Sequence, residues 1–471
     1  MQPSFSPLRK YIHRSQTPLI HLPMFAMGNT LSSNVLLTDV VRTKEGRVLQ
    51  SRLSQRRFCL SLLVYFIFVV PMSSRAEDTA EQAKVRELLF PYRAGTPKVD
   101  GITPGMTIDT SNVQVAKDVL PPELLDRVAA GDLSIPVQDT TNTPLRAEYV
   151  DATVNNVGKA MLGEATLQNY DGGLPFPLLD VQDPDAGRKA AWNYRYRDRG
   201  DSVQYWPTNE HRTVSGTLER SEAFYIVMMF RPHHPDSQLR REAWDRTGTY
   251  SKRYMRMVAP ADAEGRQVVS VTHEDDTRLD DQWVYDPRTR RTRKGVYNPY
   301  EAPGNGQLLS EDTSGFNGYI HVYEWKYLGE KIVLAPSPIR STAPTLGGRG
   351  GWYPVDPWEL RKAIVLEAKS PAFHPLYSRR LLYLDTQTYS NLYTFAYDHN
   401  GKHRRTFLQV YFHPEFNPWN NPVWLPQLAA QLSMDYDRDR ASLFQTHKVI
   451  YNADLNETRW FSVMALMLYG K

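Results

Sequence analysis

Asp281-Gln282-Trp283-Val284-Tyr285-Asp286-Pro287-Arg288-Thr289-Arg290-Arg291-Thr292-Arg293-Lys294 reads as a β-hairpin. Trp283, Val284 and Tyr285 are bulky residues that fit a pleated, half-buried surface. Asp286-Pro287 starts a turn, because Pro presets φ and the Asp carboxylate can accept a bond from the backbone ahead. Arg288 to Lys294 then mixes Thr with cations, as a solvent-facing strand does. One arm is apolar and the other cationic. Arg288, Arg290, Arg291, Arg293 and Lys294 are therefore candidates for docking an acidic surface or lipid head groups, set against a plain solvated strand face.

The same grammar recurs around this hairpin. Ala223 to Phe230 is an apolar run fit for a buried strand, Tyr250 to Val258 alternates, and Gln267 to Thr272 leads into the acidic loop Glu274-Asp275-Asp276. That loop, with Asp280-Asp281 after it, is expected to be solvated and to face the cationic arm. Tyr319 to Tyr327 alternates, with Lys331 to Leu334 as a hairpin return after Gly329. Leu360–Lys369 and Arg379–Thr386 pair across a turn. Tyr389–Tyr397 and His403–Tyr411 flank Asn400-Gly401, a strong hairpin signal. Trp419 to Leu432 reads as a loop and short helix, Ser433 to Thr446 as a last strand, and Arg459 to Leu468 as a closing helix. Strands follow each other through short turns, so within the strand-rich body 213–446 one continuous antiparallel sheet is expected from Ala223 to about Thr446.

Upstream, residues 77–200 read as mainly helical. Helices are expected over 77–90, ended by Pro91; within 113–128, broken at Pro121-Pro122, with Leu124, Leu125 and Val128 on one face; over 153–168; and over 186–198 around Trp192, with Arg188, Lys189, Arg195 and Arg199 as a cationic face. The loop Asp171-Gly172-Gly173-Leu174-Pro175-Phe176-Pro177 combines glycines, which permit positive φ, with prolines that fix the path. It is expected to present Phe176.

Residues 1–76 belong to a different class. Arg52, Arg56 and Arg57 precede the apolar run 58–70, and small residues stand at Ser74 and Ala76. Basic, apolar, then small-x-small is the secretory leader pattern. The run is short for a membrane span, which needs about 20 residues. Cleavage is expected after Ala76, leaving a protein that does not span the membrane. The residues ahead of Arg52 read as a start placed too far upstream. Residues 1–76 hold ten of the 56 Lys+Arg and two of the 52 Asp+Glu, so the remainder carries 46 basic against 50 acidic groups. The net charge of +4 thus becomes −4, and the basic balance gives no support to nucleic-acid binding. The one cysteine, Cys59, leaves with the leader, which excludes disulfides and thiolate chemistry from the mature chain.

Motifs for catalysis are few. His399 and His403 lie four apart but across a turn, His233-His234 sits in a Pro-flanked loop, and a third metal ligand is missing from the pattern. The acidic loop lacks the positions of an EF-hand. Ser215-Gly216 and Ser314-Gly315 are not in a Gly-x-Ser-x-Gly elbow, and nucleotide-binding glycine loops are absent from the sequence. No catalytic residue, metal or cofactor is expected.

Several pieces stand in a familiar order: Gly172-Gly173-Leu174-Pro175-Phe176-Pro177; Trp192; Gln282-Trp283-Val284-Tyr285-Asp286-Pro287 with Arg290-Arg291-Thr292-Arg293; Asp312 and Phe316 ahead of Tyr323-Glu324-Trp325-Lys326-Tyr327-Leu328-Gly329; then Ser378-Arg379-Arg380-Leu381-Leu382-Tyr383-Leu384-Asp385. Over roughly Gly101 to Tyr411, and less so after Asn417, this resembles the bacterial family called domain of unknown function 1329. The resemblance implies a periplasmic protein of Gram-negative bacteria. It implies an α+β, mainly β fold, a single curved antiparallel sheet like the half-barrel of the lipoprotein carriers LolA and LolB, with helices packed over the concave face. It also implies a hydrophobic cargo and an outer-membrane or efflux-type transporter as protein partner. The family brings no agreed catalytic residues.

The aromatic-rich strands are compatible with an apolar cavity. Period two puts Phe224, Ile226 and Met228 on one face of their strand, and Trp283 and Tyr285 on one face of theirs, with Phe176 at the rim. Which face is inward stays open, because Tyr225, Val227 and Met229 are nearly as apolar and a one-residue slip exchanges the sets. The function expected is a periplasmic carrier or chaperone for lipid or another hydrophobic molecule. The alternatives are a hydrolase acting on a hydrophobic ester or glycan in the same cavity, and a structural partner in an envelope complex.

Overall fold

A computed structural model describes residues 79–231, 238–302, 307–416, 419, 425–451 and 455–469. The leader, its cleavage site and His233-His234 lie outside these residues. Helix α1 (Ala80–Leu88) starts from a capping box between Thr79 and Gln82, which satisfies two of its first N–H groups. There follow β1 (Thr107–Ile108), α2 (Pro122–Ala129) with Leu124 and Val128 buried, β2 (Ile135–Gln138), α3 (Ala147–Asn155), the small pair β3 (Met161–Leu162) and β4 (Leu167–Gln168), and α4 (Ala186–Arg195). Next come β5 (Ser202–Thr213), β6 (Leu218–Phe230), α5 (Gln238–Thr247), β7 (Thr249–Ala259), β8 (Gln267–His273), β9 (Asp281–Asp286) and β10 (Arg291–Val296). The chain continues with β11 (Glu324–Ala335), the small pair β12 (Leu346–Gly347) and β13 (Tyr353–Pro354), then β14 (Trp358–Lys369), β15 (Arg379–Asp385), β16 (Asn391–Tyr397), β17 (His403–Phe412), β18 (Gln427–Asp435) and β19 (Arg440–Tyr451). It closes with α6 (Glu457–Phe461) and α7 (Val463–Tyr469).

Fifteen strands form one open sheet in the order β1-β2-β14-β15-β16-β17-β18-β19-β5-β6-β7-β8-β9-β10, with β11 also paired to β14. Every neighbour is antiparallel except β2 on β14. The sheet is two meanders, β5 to β10 and β14 to β19, sewn together where β19 returns to β5, Ser442 opposite His211. The fold is thus mainly β, with few helices. Helix α4 packs on β11 and β14, α5 and α6 on β7, and α7 on β8, β9 and β10. Both faces of β14 are buried: Ile364 and Leu366 join the core under α4, while Ala363 and Val365 join the one that contains α2.

The opening hairpin forms, with Arg291 opposite Asp286 and Lys294 opposite Trp283. Arg290 takes φ +53° at its turn. Several expectations need correction. The helix placed over 153–168 ends at Asn155 and begins earlier, at Ala147; Gly158 at φ +74° turns the chain out of it. Gly329 is not a hairpin turn. At φ +92° it lies in a bulge between Tyr327 and Glu330, so Glu324 to Ala335 is one strand along β14. Residues 320–322 ahead of it form a 3₁₀ turn rather than strand. Gln427 to Leu432, expected as loop and short helix, belongs to strand β18, and the single strand expected over Ser433 to Thr446 is broken by a turn: β18 ends at Asp435 and pairs with β19 from Arg440, with Asp439 at φ +50° between them.

Candidate functional site

Cross-strand register fixes which side chains share a face. Met228, Arg253, Ser270 and Gln282 stand directly opposite one another across β6 to β9, and so do Val227, Tyr254, Val269 and Trp283. The two rungs are one residue apart and face opposite ways. The Trp283 side carries Val227, Met229, Tyr254 and Tyr285 and is sealed by Trp244, Phe461 and Leu466 from the helices. The Met228 side opens into a cleft of about 80 Å³.

The cleft floor holds Met228 on β6, Tyr250, Ser251 and Arg253 on β7, and Ser270 and Thr272 on β8. Its roof is the C-terminal end of α4 with the residues after it, Tyr194 to Arg199, and the loop Ser314–Ile320; Tyr297 and Asp280 close the side. Two polar fastenings hold the roof. Arg195 pairs with buried Asp276 and donates to the Gly318 carbonyl at 3.0 Å, while the Asp276 carboxylate also accepts the Ile320 N–H at 2.5 Å. Burial pushes that carboxyl up, but Arg195 and His321 together outweigh burial and hold it below the usual aspartate range. Tyr194 donates its hydroxyl to the Ser314 carbonyl at 2.7 Å.

The remaining charge in the cleft is unbalanced. Arg197 donates to the Tyr194 carbonyl at 2.6 Å and Arg199 to the Tyr250 hydroxyl. The Arg199 guanidinium lies 4.1 Å from the centroid of the Phe230 ring. Neither of these arginines, nor Arg253, has a carboxylate within 4.0 Å among the described residues. Burial pushes Arg199 down, and the neighbouring Arg197 and Arg195 push the same way. The unsalted carboxyl nearby is Asp280, which accepts from Thr272 Oγ1 at 2.8 Å and from the Tyr319 hydroxyl at 3.3 Å. Burial raises its pKa. On the floor, Ser270 is 4% exposed and its Oγ has no hydrogen-bond partner. A buried hydroxyl without a partner is costly unless something else satisfies it.

A second cluster anchors the roof loop from behind. Glu311 and Asp312 are fully buried. Arg380 on β15 reaches Asp312 Oδ1 at 2.9 Å and also Glu311; Arg405 on β17 reaches Asp312 Oδ2 at 3.1 Å and Asp435 at 2.6 Å. His374 bonds Glu311 Oε1 at 2.7 Å, and the Tyr323 and Tyr377 hydroxyls donate to Glu311 and Asp312 at 2.6 and 3.2 Å. Phe316 and Trp325 pack edge to face beside it at 5.1 Å. Asp312, Phe316, Tyr323 and Trp325 from one sequence motif meet Arg380 from a later one here.

Of the six residues expected to line a cavity, Met228 lies in the cleft. Ile226 and Phe224 share its face, lower on β6. Trp283 and Tyr285 lie on the opposite face, so the two sets do not line a common cavity. Phe176 is not at a rim. It is buried beside Trp192, with its N–H and carbonyl both bonded to the Asn193 side chain at 2.8 and 2.7 Å. The cationic arm is the sheet's edge strand. Arg288, Arg290, Arg291, Arg293 and Lys294 are exposed, with Lys294 3.0 Å from Asp281 and Arg288 3.8 Å from Asp286. Of the acidic loop, Asp281 faces that arm, whereas Asp276 binds Arg195 and Glu274 binds Arg231 at 3.0 Å. His403 is half-buried against Thr406 and the Arg405 carbonyl, and the described residues contain no group of three or more metal-ligating side chains. Sequence reasoning missed Arg197, Arg253 and Ser270. The available signal was the spacing Arg195-x-Arg197-x-Arg199 and, on β7, an Arg253 out of phase with the alternation of Tyr250, Lys252, Tyr254 and Arg256.

The fold is a mainly β scaffold, an open and mostly antiparallel sheet with a roofed cleft on one face. The chain belongs to the family described as protein of unknown function (DUF1329), which matches residues 107–466 and so extends past Asn417. It is similar to a DUF1329 family protein from Desulfovibrio piger, at 15% identity and TM-score 0.42 over 60% of this chain and 100% of that one. It is also similar to a putative outer membrane lipoprotein-sorting protein domain from Vibrio parahaemolyticus, at 16% identity and TM-score 0.42 over 60% and 100%. A LolA superfamily protein from Nitrosomonas europaea matches at 11% identity and TM-score 0.35 over 59% and 97%. No curated protein matches the chain. Among the described residues, no helix is long and apolar enough to cross a membrane.

Proposed function

We propose that this protein is a periplasmic carrier or chaperone that binds an amphiphilic molecule, a lipid or similar compound, in the roofed cleft, without catalysis. The observation that carries this is the cleft itself. The apolar side chains of Met228, Phe316 and Ile320 and the rings of Tyr194, Tyr250, Tyr297 and Tyr319 surround it, on the one face of β6 to β8 that the α5–α7 helices leave uncovered. Ring and methyl surfaces bind hydrocarbon without demanding geometry, at about 25 cal/mol per Å² buried. A volume of about 80 Å³ holds one end of a ligand, not a whole acyl chain, so the rest of the molecule lies along the open face. In this reading the sheet acts as a half-barrel with α4 over its concave side. The leader 52–76 takes the chain to the periplasm, where the exposed cationic hairpin is offered to an outer-membrane or efflux-type partner.

Titrating an environment-sensitive fluorescent fatty-acid probe into the delipidated protein tests the reading. Saturable binding is expected, and Met228→Asp, which sets a carboxylate on the cleft floor, is expected to abolish it with an unchanged circular dichroism spectrum. Equal binding by that folded variant contradicts the cleft as the site. For localisation, N-terminal sequencing of the exported form is expected to begin at Glu77; a product that keeps residues 58–70 contradicts this.

A further inference from the structure

A purely hydrophobic cargo leaves the polarity of the cleft unused. Hydrocarbon needs no arginine, yet Arg197, Arg199 and Arg253 all line the cavity, and none is neutralised by a carboxylate within 4.0 Å among the described residues. Guanidinium groups held partly out of water without a counter-charge are unfavourable. They persist where a ligand supplies the anion. Arg195 does not join them, because Asp276 neutralises it. Three cations therefore stand against one carboxyl, Asp280, which Thr272 and Tyr319 already hold. The surplus is nearer two positive charges than one. The donors come from both walls. Arg253 and Ser270 are direct cross-strand neighbours on the floor, while Arg197 and Arg199 descend from the roof. Ser270 Oγ, buried and without a partner, adds a hydrogen-bond donor between them.

We propose that the cleft binds the dianionic phosphate monoester group of an amphiphile, with Arg253 and Ser270 donating from the sheet and Arg197 and Arg199 from the roof. A phosphate monoester fits on charge, since a monocarboxylate leaves one cation unmatched. It fits on donors, since planar guanidinium groups bind phosphate oxygens in pairs. It fits on size, since about 80 Å³ accommodates a head group while the hydrocarbon leaves past Met228, Phe316 and Ile320. This rests on the carrier reading for the hydrocarbon part only.

The experiment is calorimetric titration of the delipidated full chain, at low ionic strength, with four probes: dihexanoyl phosphatidate, octanoate, octyl glucoside and inorganic phosphate. The phosphatidate is expected to bind at least about tenfold tighter than octanoate or octyl glucoside, and to weaken steeply with salt. Arg253→Gln and Arg197→Gln, which remove no ion pair, are each expected to weaken the phosphatidate about tenfold and to leave octyl glucoside unchanged; Arg253→Lys is expected to recover part of the loss. Phosphatidate no tighter than octyl glucoside, or insensitive to both glutamine variants, overturns the phosphate site while leaving the carrier reading standing. Inorganic phosphate bound as tightly as phosphatidate, with the same arginine dependence, keeps the oxyanion site and overturns the amphiphile as its source. Binding of none of the four overturns both.

Discussion

Arg380 shows what a single residue holds in this molecule. It is fully buried between Glu311 and Asp312, and those carboxylates fix the loop that roofs the cleft. Breaking a buried ion pair by removing one partner leaves an uncompensated charge, at a cost of about 3–5 kcal/mol. Arg380→Met is therefore expected to lower the unfolding free energy obtained from urea titration by that amount, a loss far larger than that of an exposed variant such as Arg288→Met. Glu359 carries a different signature. Burial pushes its carboxyl up from 4.5 to about 7, against the opposing pull of Arg361. The folded state then holds the proton more tightly than the unfolded one. The contribution is complete below about pH 4.5 and is lost as pH rises to about 7, a change of about 3 kcal/mol at most. Glu359→Gln is expected to remove that slope, checked by melting temperatures of both proteins at pH 5 and pH 8. At this scale the sequence was least informative. Phe176 looked like a rim residue because it follows Gly-Gly-Leu-Pro. In the fold Gly173, at φ +75°, passes so close to α3 that a Cβ would lie 2.3 Å from the Thr153 nitrogen, and the loop turns Phe176 inward. Nothing in a linear pattern reports such a contact.

At the scale of elements, local chemistry was legible wherever it was self-contained. The Asp286-Pro287 turn, the Asn400-Gly401 turn and the Pro121-Pro122 break all lie where their residues put them. Elements decided by distant partners were not legible. Gly329 has the sequence of a turn, yet β14 holds both sides of it in one bulged strand. The period-two sets on β6 and β9 were each correct as sets, but their relative facing depends on the registers of β6–β7, β7–β8 and β8–β9, which the sequence does not state. The cationic strand β10 ends the sheet, and charge on an edge strand blocks pairing with another chain. Replacing Arg291 and Arg293 together by Val is expected to drive concentration-dependent self-association, seen by size-exclusion chromatography, with the native circular dichroism retained. A double variant that stays monomeric contradicts that role for the edge.

On the scale of the whole molecule, the sequence announced an antiparallel, mainly β protein, and the open sheet has that character. What it could not announce is the closure of the two meanders by β19 on β5, a pairing of residues more than 200 positions apart, Ser442 with His211 among them. That pairing makes one surface of two halves and sets the cleft floor beside a roof anchored in the other meander. If the cleft works as proposed, it holds an amphiphile in the cell. Native mass spectrometry of the full chain, purified from its own cells without delipidation and followed by solvent extraction, tests it most directly. The predicted result is a one-to-one adduct that extraction removes and that is missing from Met228→Asp. Bare polypeptide mass in the parent protein, together with no rebinding of amphiphile after delipidation, contradicts it.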